Sequence, residues 1–192
     1  IRWKFDKGHV PMHQCVGYTD HALRQFFKEC SKSPWFENTI FLFTADHSNQ
    51  SYFPFYEKTV NRFANPLMIF KHDSKLKGVD MRLASHMDIL PTVADLIDYP
   101  KPFKSWGRSL LSNQDHHPFV INYFSGGSYF IMDENFICIH NGKKAIGFYE
   151  LEDKNMENNL IHNKTQQMTE LEKKCSMFLE DYFETLMSGR KK

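Results

Sequence analysis

An acid and an imidazole stand side by side at Asp46-His47, closing a run, TIFLFTADHSNQ (39–50), that begins apolar and β-branched. A carboxylate oxygen and a neutral imidazole nitrogen are both suitable ligands for Zn²⁺ or Mn²⁺, and the negative charge lowers the cost of holding a dication beside apolar chain. Two ligands do not complete a catalytic site. At least one further protein ligand and an open position are needed, and the sequence has no HxH or HExxH pattern to supply them. The same dipeptide also suits a βα turn in which Asp46 caps backbone amides and His47 lies in solvent. Residue types alone leave both readings open.

The elements around the pair say where it must sit. TIFLFT reads as a short, fully buried strand, continuous in apolar residues and flanked by turn formers. Before it, Val16, Thr19, Ala22/Leu23, Phe26/Phe27 and Cys30 recur at helical spacing over residues 13–33, and Ser33-Pro34 stops the run. After a polar loop (47–65), NPLMIFK (65–71) is a second strand of the same kind. Then SHMDILPTVADLIDYP predicts a helix with Pro91 in its first turn and Ile89/Leu90, Val93 and Leu96/Ile97 as the buried stripe. Alternating strands and helices predict an α/β fold with a mostly parallel sheet. In such sheets catalytic groups collect beyond the carboxyl ends of strands, which is the position of Asp46-His47. Neighbouring side chains of a strand point to opposite faces, so the two converge on one ion only where the chain turns away. Ser48-Asn49-Gln50 is suitable turn material.

From residue 113 the texture changes. PFVINYF, SYFIMD and NFICIHNGKKAIGFYEL are short β-rich runs parted by Gly, Asn and Asp, with Asn141-Gly142 as a hairpin signal. They predict a small antiparallel sheet. Met168, Leu171, Cys175, Phe178/Leu179, Tyr182/Phe183 and Leu186 then mark a closing amphipathic helix over 165–187. The expected division is therefore 1–112 for the α/β part and 113–192 for the small sheet and closing helix.

Composition narrows the functions. A formal net charge of +1 with both signs interspersed offers no polyelectrolyte patch, which argues against a nucleic-acid partner. No window approaches the ~18 apolar residues that cross a bilayer, and the first residues lack the apolar stretch of a signal peptide. The four cysteines have no metal-ligand spacing. Cys15 and Cys30 bracket the first helix, roughly 22 Å apart, too far to pair. The sequence does not decide whether Cys138 and Cys175 are joined.

Five blocks occur in order: YTDHALRQFF (18–27), SPWFENTIFLFTADHSN (33–49), NPLMIF (65–70), SHMDILPTVADLIDYPKPFKSWGRSLLS (85–112) and FYELEDKNMENNL (148–160). Together they resemble the sulfatase branch of the alkaline phosphatase superfamily, most closely the lipoteichoic-acid-synthase-like members of phosphoglycerol transferase type. The resemblance implies the C-terminal part of that superfamily's α/β core. It carries metal-ligand roles onto Asp46 and His47, for Mn²⁺, Zn²⁺ or Mg²⁺, or Ca²⁺ in a true sulfatase. His86 stands where relatives place a Gln or His near the substrate, so a substrate contact and a helix-start histidine are both open for it. Asp88 and Thr92 are expected to fix the start of their helix, and Tyr18 and Asp20 to pack and cap.

The family's nucleophile, a further carboxylate ligand and a substrate-binding histidine have no matching segment here, so no catalytic residue is assigned within this chain. The implied function is metal-dependent hydrolysis or transfer of a phosphate or sulfate ester through a covalent intermediate on an upstream nucleophile. A phosphoglycerol-transferase-like or phosphodiesterase-like reaction is the favoured form. An arylsulfatase and a non-catalytic relative used for binding are the alternatives. The expected partners are the ester substrate and the rest of a longer chain. That chain is expected to be tethered by upstream transmembrane helices at the extracytoplasmic face of a bacterial envelope.

Overall fold

Pro11 opens the first helix: at that position its missing amide hydrogen leaves nothing unpaired and its fixed φ is already helical. Helix α1 runs Pro11–Cys30. The computed structural model describes residues 5–48, 52–57, 60–72, 77–112, 118–124, 126–153 and 155–189; Asn49, Gln50 and the pair His116-His117 lie outside them. The expected stripe of α1 is covered toward its C-terminal end, where Cys30 is buried and Leu23 and Phe27 are half-buried, whereas Val16 and Phe26 are exposed. A 3-10 turn, Phe36–Asn38, leads into β1, Ile40–Phe43, which pairs with β2, Met68–Lys71.

The chain is α/β, as its alternating elements imply, but this first strand pair is antiparallel, with Ile40 opposite Lys71 and Phe43 opposite Met68. Between the strands the described residues form only the short 3-10 turns Pro54–Glu57 and Asn61–Phe63. A parallel return needs a crossover, usually a helix, and without one the chain comes back antiparallel. Nor is β1 fully buried: all four residues are half-buried. Its packing is aromatic. Phe27, Phe36, Phe41 and Phe70 meet with ring centroids 5.0–6.4 Å apart, each such pair adding about 0.5–1.5 kcal/mol beyond the area it buries. These elements belong to one compact unit, Ile1–Val79, and Asp80–Lys192 form a second.

In the second unit a 3-10 turn, His86–Asp88, continues into α2, Ile89–Leu96. The buried face of α2 centres on Thr92, with Ile89, Val93 and Leu96 half-buried and Leu90 and Ile97 exposed. A threonine can take the innermost position because its hydroxyl is satisfied: it donates to the Asp88 carbonyl (2.6 Å) and accepts the Leu110 amide (3.0 Å).

The four later strands, β3 (Val120–Phe124), β4 (Ser128–Met132), β5 (Phe136–His140) and β6 (Ala145–Glu150), form an antiparallel meander in sequence order. The hairpin expected at Asn141-Gly142 is present, with Gly142 at φ 86°, a conformation that costs glycine little. Helix α3, Gln166–Gly189, lays Met168, Leu171, Cys175 and Leu179 onto Ile131, Cys138 and Phe148 of the sheet. Each large apolar side chain so buried contributes about 1.5–3 kcal/mol. The stripe opens beyond Leu179, leaving Phe183 and Leu186 about half exposed.

The loop before β3 is pinned to α3, with the Trp106 indole N–H donating to Asp181 Oδ2 (2.5 Å) and Lys104 Nζ to Oδ1 (3.1 Å). All four cysteines are free thiols. Burial raises the Cys138 thiol far above its usual range and pushes Cys175 up to about 12. Among the described residues no helix is long and apolar enough to cross a membrane.

Candidate functional site

The sequence pair lies just past β1. Thr44 and Ala45 leave the strand, and the chain bends at Asp46-His47. The bend lets adjacent side chains face each other, which a strand would forbid. Asp46 Oδ1 accepts the His47 amide (2.8 Å), while Oδ2 lies 3.5 Å from His47 Nε2. His47 Nδ1 is 2.8 Å from the Ser48 carbonyl. A carbonyl only accepts, so Nδ1 donates in this contact, and in the neutral ring the lone pair is then on Nε2, toward the carboxylate. The Ser48 amide donates to the Arg62 carbonyl (2.7 Å), tying the bend to the 3-10 turn at Asn61–Phe63.

The donor set suits a divalent ion. A tetrahedral zinc with bonds of about 2.0–2.1 Å places its ligand atoms roughly 3.4 Å apart, close to the 3.5 Å between Oδ2 and Nε2. Both side chains are open, Asp46 by 86% and His47 by 57%. Among the described residues no group of three His, Cys, Asp or Glu side chains is placed to hold a metal. Ser48 Oγ, which sequence reasoning treated only as turn material, is buried beside the pair with no hydrogen-bond partner among the described residues.

Other residues singled out in the sequence fall elsewhere. Tyr18 packs edge-on against Phe5, with centroids 6.0 Å apart, and Asp20 pairs with Arg24 (3.0 Å) on the surface of α1. Asp20 is mid-helix and caps nothing, a correction to the expected role. His9 stacks flat on Tyr52 (4.3 Å, 8°), and its amide donates to His13 Nδ1 (3.0 Å).

His86 belongs to the second unit, exposed at the first position of its 3-10 turn. Its neighbours hold that turn closely. Ser85 Oγ accepts the Met87 amide (3.1 Å), and Asp88 accepts the Ser85 amide on Oδ2 (2.8 Å) and the Arg108 amide on Oδ1 (2.9 Å). Arg108 Nη2 donates to the Leu83 carbonyl (2.7 Å). Gly107 makes this closeness possible: a Cβ there would lie 2.0 Å from the Met87 carbonyl oxygen. A role for Asp88 at the start of its helix was expected from the sequence, whereas the Ser85 capping box it completes and its reach to Arg108, 20 residues on, were not.

Residues 12–99 match the model of the sulfatase family. The chain is 30% identical to lipoteichoic acid synthase 1 of Bacillus subtilis (strain 168), over 54% of this chain and 18% of that protein. Its fold is similar to a crystal structure of a protein in the alkaline phosphatase superfamily from Vibrio parahaemolyticus, with a TM-score of 0.69 and 21% identity. That similarity covers 94% of this chain and 44% of the other. The chain thus spans less than a fifth of the first relative's length and less than half of the second.

Proposed function

We propose, on the match of residues 12–99 to the sulfatase family model, that this chain is part of a metal-dependent hydrolase or transferase of phosphate or sulfate esters in which Asp46 and His47 are two ligands of a divalent cation. The observation that carries the reading is the 3.5 Å approach of a carboxylate oxygen and an imidazole nitrogen, inside the matched segment. The finer form of the reaction is phosphoglycerol-transferase-like or phosphodiesterase-like, supported by the 30% identity to a lipoteichoic acid synthase. In this reading residues 1–112 supply the C-terminal part of the α/β core, and 113–192 the small sheet and closing helix. The nucleophile lies outside these residues. The whole protein works outside the cytoplasm, tethered to the envelope. For His86 the proposed role is a contact to substrate.

Asp46 and His47 would hold a divalent ion, which when bound would supply Lewis-acid stabilisation of charge developing on ester oxygens. The chain's own residues set the terms. Asp46 contributes the negative charge and keeps its second oxygen on the His47 amide, which fixes the carboxylate plane. His47 holds its proton at Nδ1 against the Ser48 carbonyl, so Nε2 is already in the ligating form. A proton at Nε2 competes with the metal, and acid therefore weakens binding.

The test uses the full-length protein with an aryl phosphodiester and an aryl sulfate, with and without Mn²⁺ or Zn²⁺. Metal-dependent phosphodiester cleavage that His47→Ala abolishes is the expected result. Preference for the sulfate would replace the phosphoglycerol-transferase-like form by a sulfatase. Unchanged metal content in both Asp46→Ala and His47→Ala would overturn the ligand roles.

A further inference from the structure

A cleft of about 310 Å³ opens in the second unit at the C-terminal end of α2. It is lined by Pro91 and Ala94 of α2, by two acidic residues, Asp95 and Asp98, and by two aromatic ones, Tyr99 and Phe103. The rings meet edge to face with centroids 6.0 Å apart, and both are nearly half exposed.

The electrostatics of this cleft are one-sided. The C-terminal end of a helix carries partial negative charge and favours cations nearby, although in α2 the carbonyls of Val93, Ala94 and Asp95 already accept the amides of Ile97, Tyr99 and Asp98. Helix α2 instead has no basic residue in its last turn and sets both acids around that end. Asp95 is partly quenched by the Ser109 hydroxyl, which donates to Oδ2 (2.5 Å). Asp98 has no hydrogen-bond or ion-pair partner of its side chain among the described residues, and Lys104 is engaged by Asp181 (3.1 Å). Two acidic residues and two aromatic rings therefore line one open depression.

We propose that this cleft binds an alkylammonium group, with Asp98 as the charge partner and Tyr99 and Phe103 as the faces over which the cation's alkyl groups lie. The combination selects that chemistry. A hard divalent cation needs six or more oxygen ligands, and two of the walls here are rings. A neutral apolar group would gain nothing from the carboxylates. A soft, bulky cation uses both, because ring faces attract positive charge while their area buries methyl and methylene groups. The site shares no residue with Asp46-His47 and stands independently of the role proposed for that pair.

The test is ligand-observed saturation-transfer NMR on the full-length protein, with choline and its neutral isostere 3,3-dimethylbutanol. The expected result is transfer to the choline methyls, with the isostere bound about fivefold or more weakly. Asp98→Asn should weaken choline by a similar factor. That variant keeps the fold, because the residue has φ 50° and asparagine adopts this region readily. Phe103→Leu, which removes a face and not a charge, should also weaken it. Absent transfer to choline, equal binding of the isostere, or unchanged binding to Asp98→Asn would each overturn the proposal.

Discussion

The indole N–H of Trp106 donates to the carboxylate of Asp181 at 2.5 Å, joining residues 75 positions apart and fastening the 101–112 loop to α3. Trp106, with Lys104 as the second contributor, holds the Asp181 carboxyl below its usual range. A carboxyl lowered in the folded state contributes stability that is fully present above its unfolded value, about 3.9 for aspartate, and is lost as pH falls through the lower folded value. Trp106→Phe should therefore lower the denaturant midpoint at neutral pH, with the gap from the parent protein closing below about pH 4. Urea unfolding at a series of pH values would show it; a gap independent of pH would mean that ring packing, not the hydrogen bond, accounts for the loss.

Asp46 and His47 are open side chains with no core role. Asp46→Ala and His47→Ala should each remove bound metal from the full-length protein while changing stability by no more than about 0.5 kcal/mol. Elemental analysis beside thermal denaturation separates the two effects. The isolated 192-residue chain, with two donors only, should bind metal weakly and turn over no ester.

His140 is fully buried at the end of β5. Its Nδ1 accepts the Gly142 amide (3.1 Å) and its Nε2 lies 3.4 Å from Ser176 Oγ on α3. Burial lowers its affinity for a proton, and the nearby Glu172 only partly opposes this. The unfolded chain takes up a proton below about pH 6.5 while the native ring stays neutral. Stability contributed by the neutral ring is thus present above that pH and drains away as pH falls toward the lower native value. His140→Ala should cost about 2–5 kcal/mol at neutral pH by emptying a fully buried site, and should flatten the pH dependence of unfolding just below 6.5. A variant whose acid limb matches the parent's would refute this.

Gly107→Ala places a methyl 2.0 Å from the Met87 carbonyl oxygen. Backbone cannot yield as a side-chain tip can, so the expected loss is about 3 kcal/mol or more. Calorimetry would check it, and a loss below 1 kcal/mol would mean that the loop carrying Gly107 shifts freely.

The second unit was the more legible in sequence. Its strands alternate or run apolar between Gly, Asn and Asp turns, and Asn141-Gly142 marks a hairpin, although a register shift between Ile139 and His140 was not legible. The first unit misled because a run such as TIFLFT has the same composition whether it pairs parallel or antiparallel, and only the missing crossover decides. At the candidate site the residue types were readable in Asp46-His47. The placement of the ring proton was not, since it depends on the carbonyl of Ser48, which every residue possesses. Asp88 bonding to Arg108 and Thr92 to Leu110 likewise depend on a loop that closes only in three dimensions.

The four free thiols are unequally hidden: Cys15 is exposed on α1, Cys30 is buried in the first unit, and Cys138 and Cys175 lie fully buried in the second. Alkylation requires the thiolate, and in the second unit burial suppresses that form as well as access. The chain thereby carries an internal gauge of its own opening. Cys15 reacts with the native fold, Cys30 records excursions of the first unit, and the remaining pair records those of the second, so the order of labelling tells which half yields first.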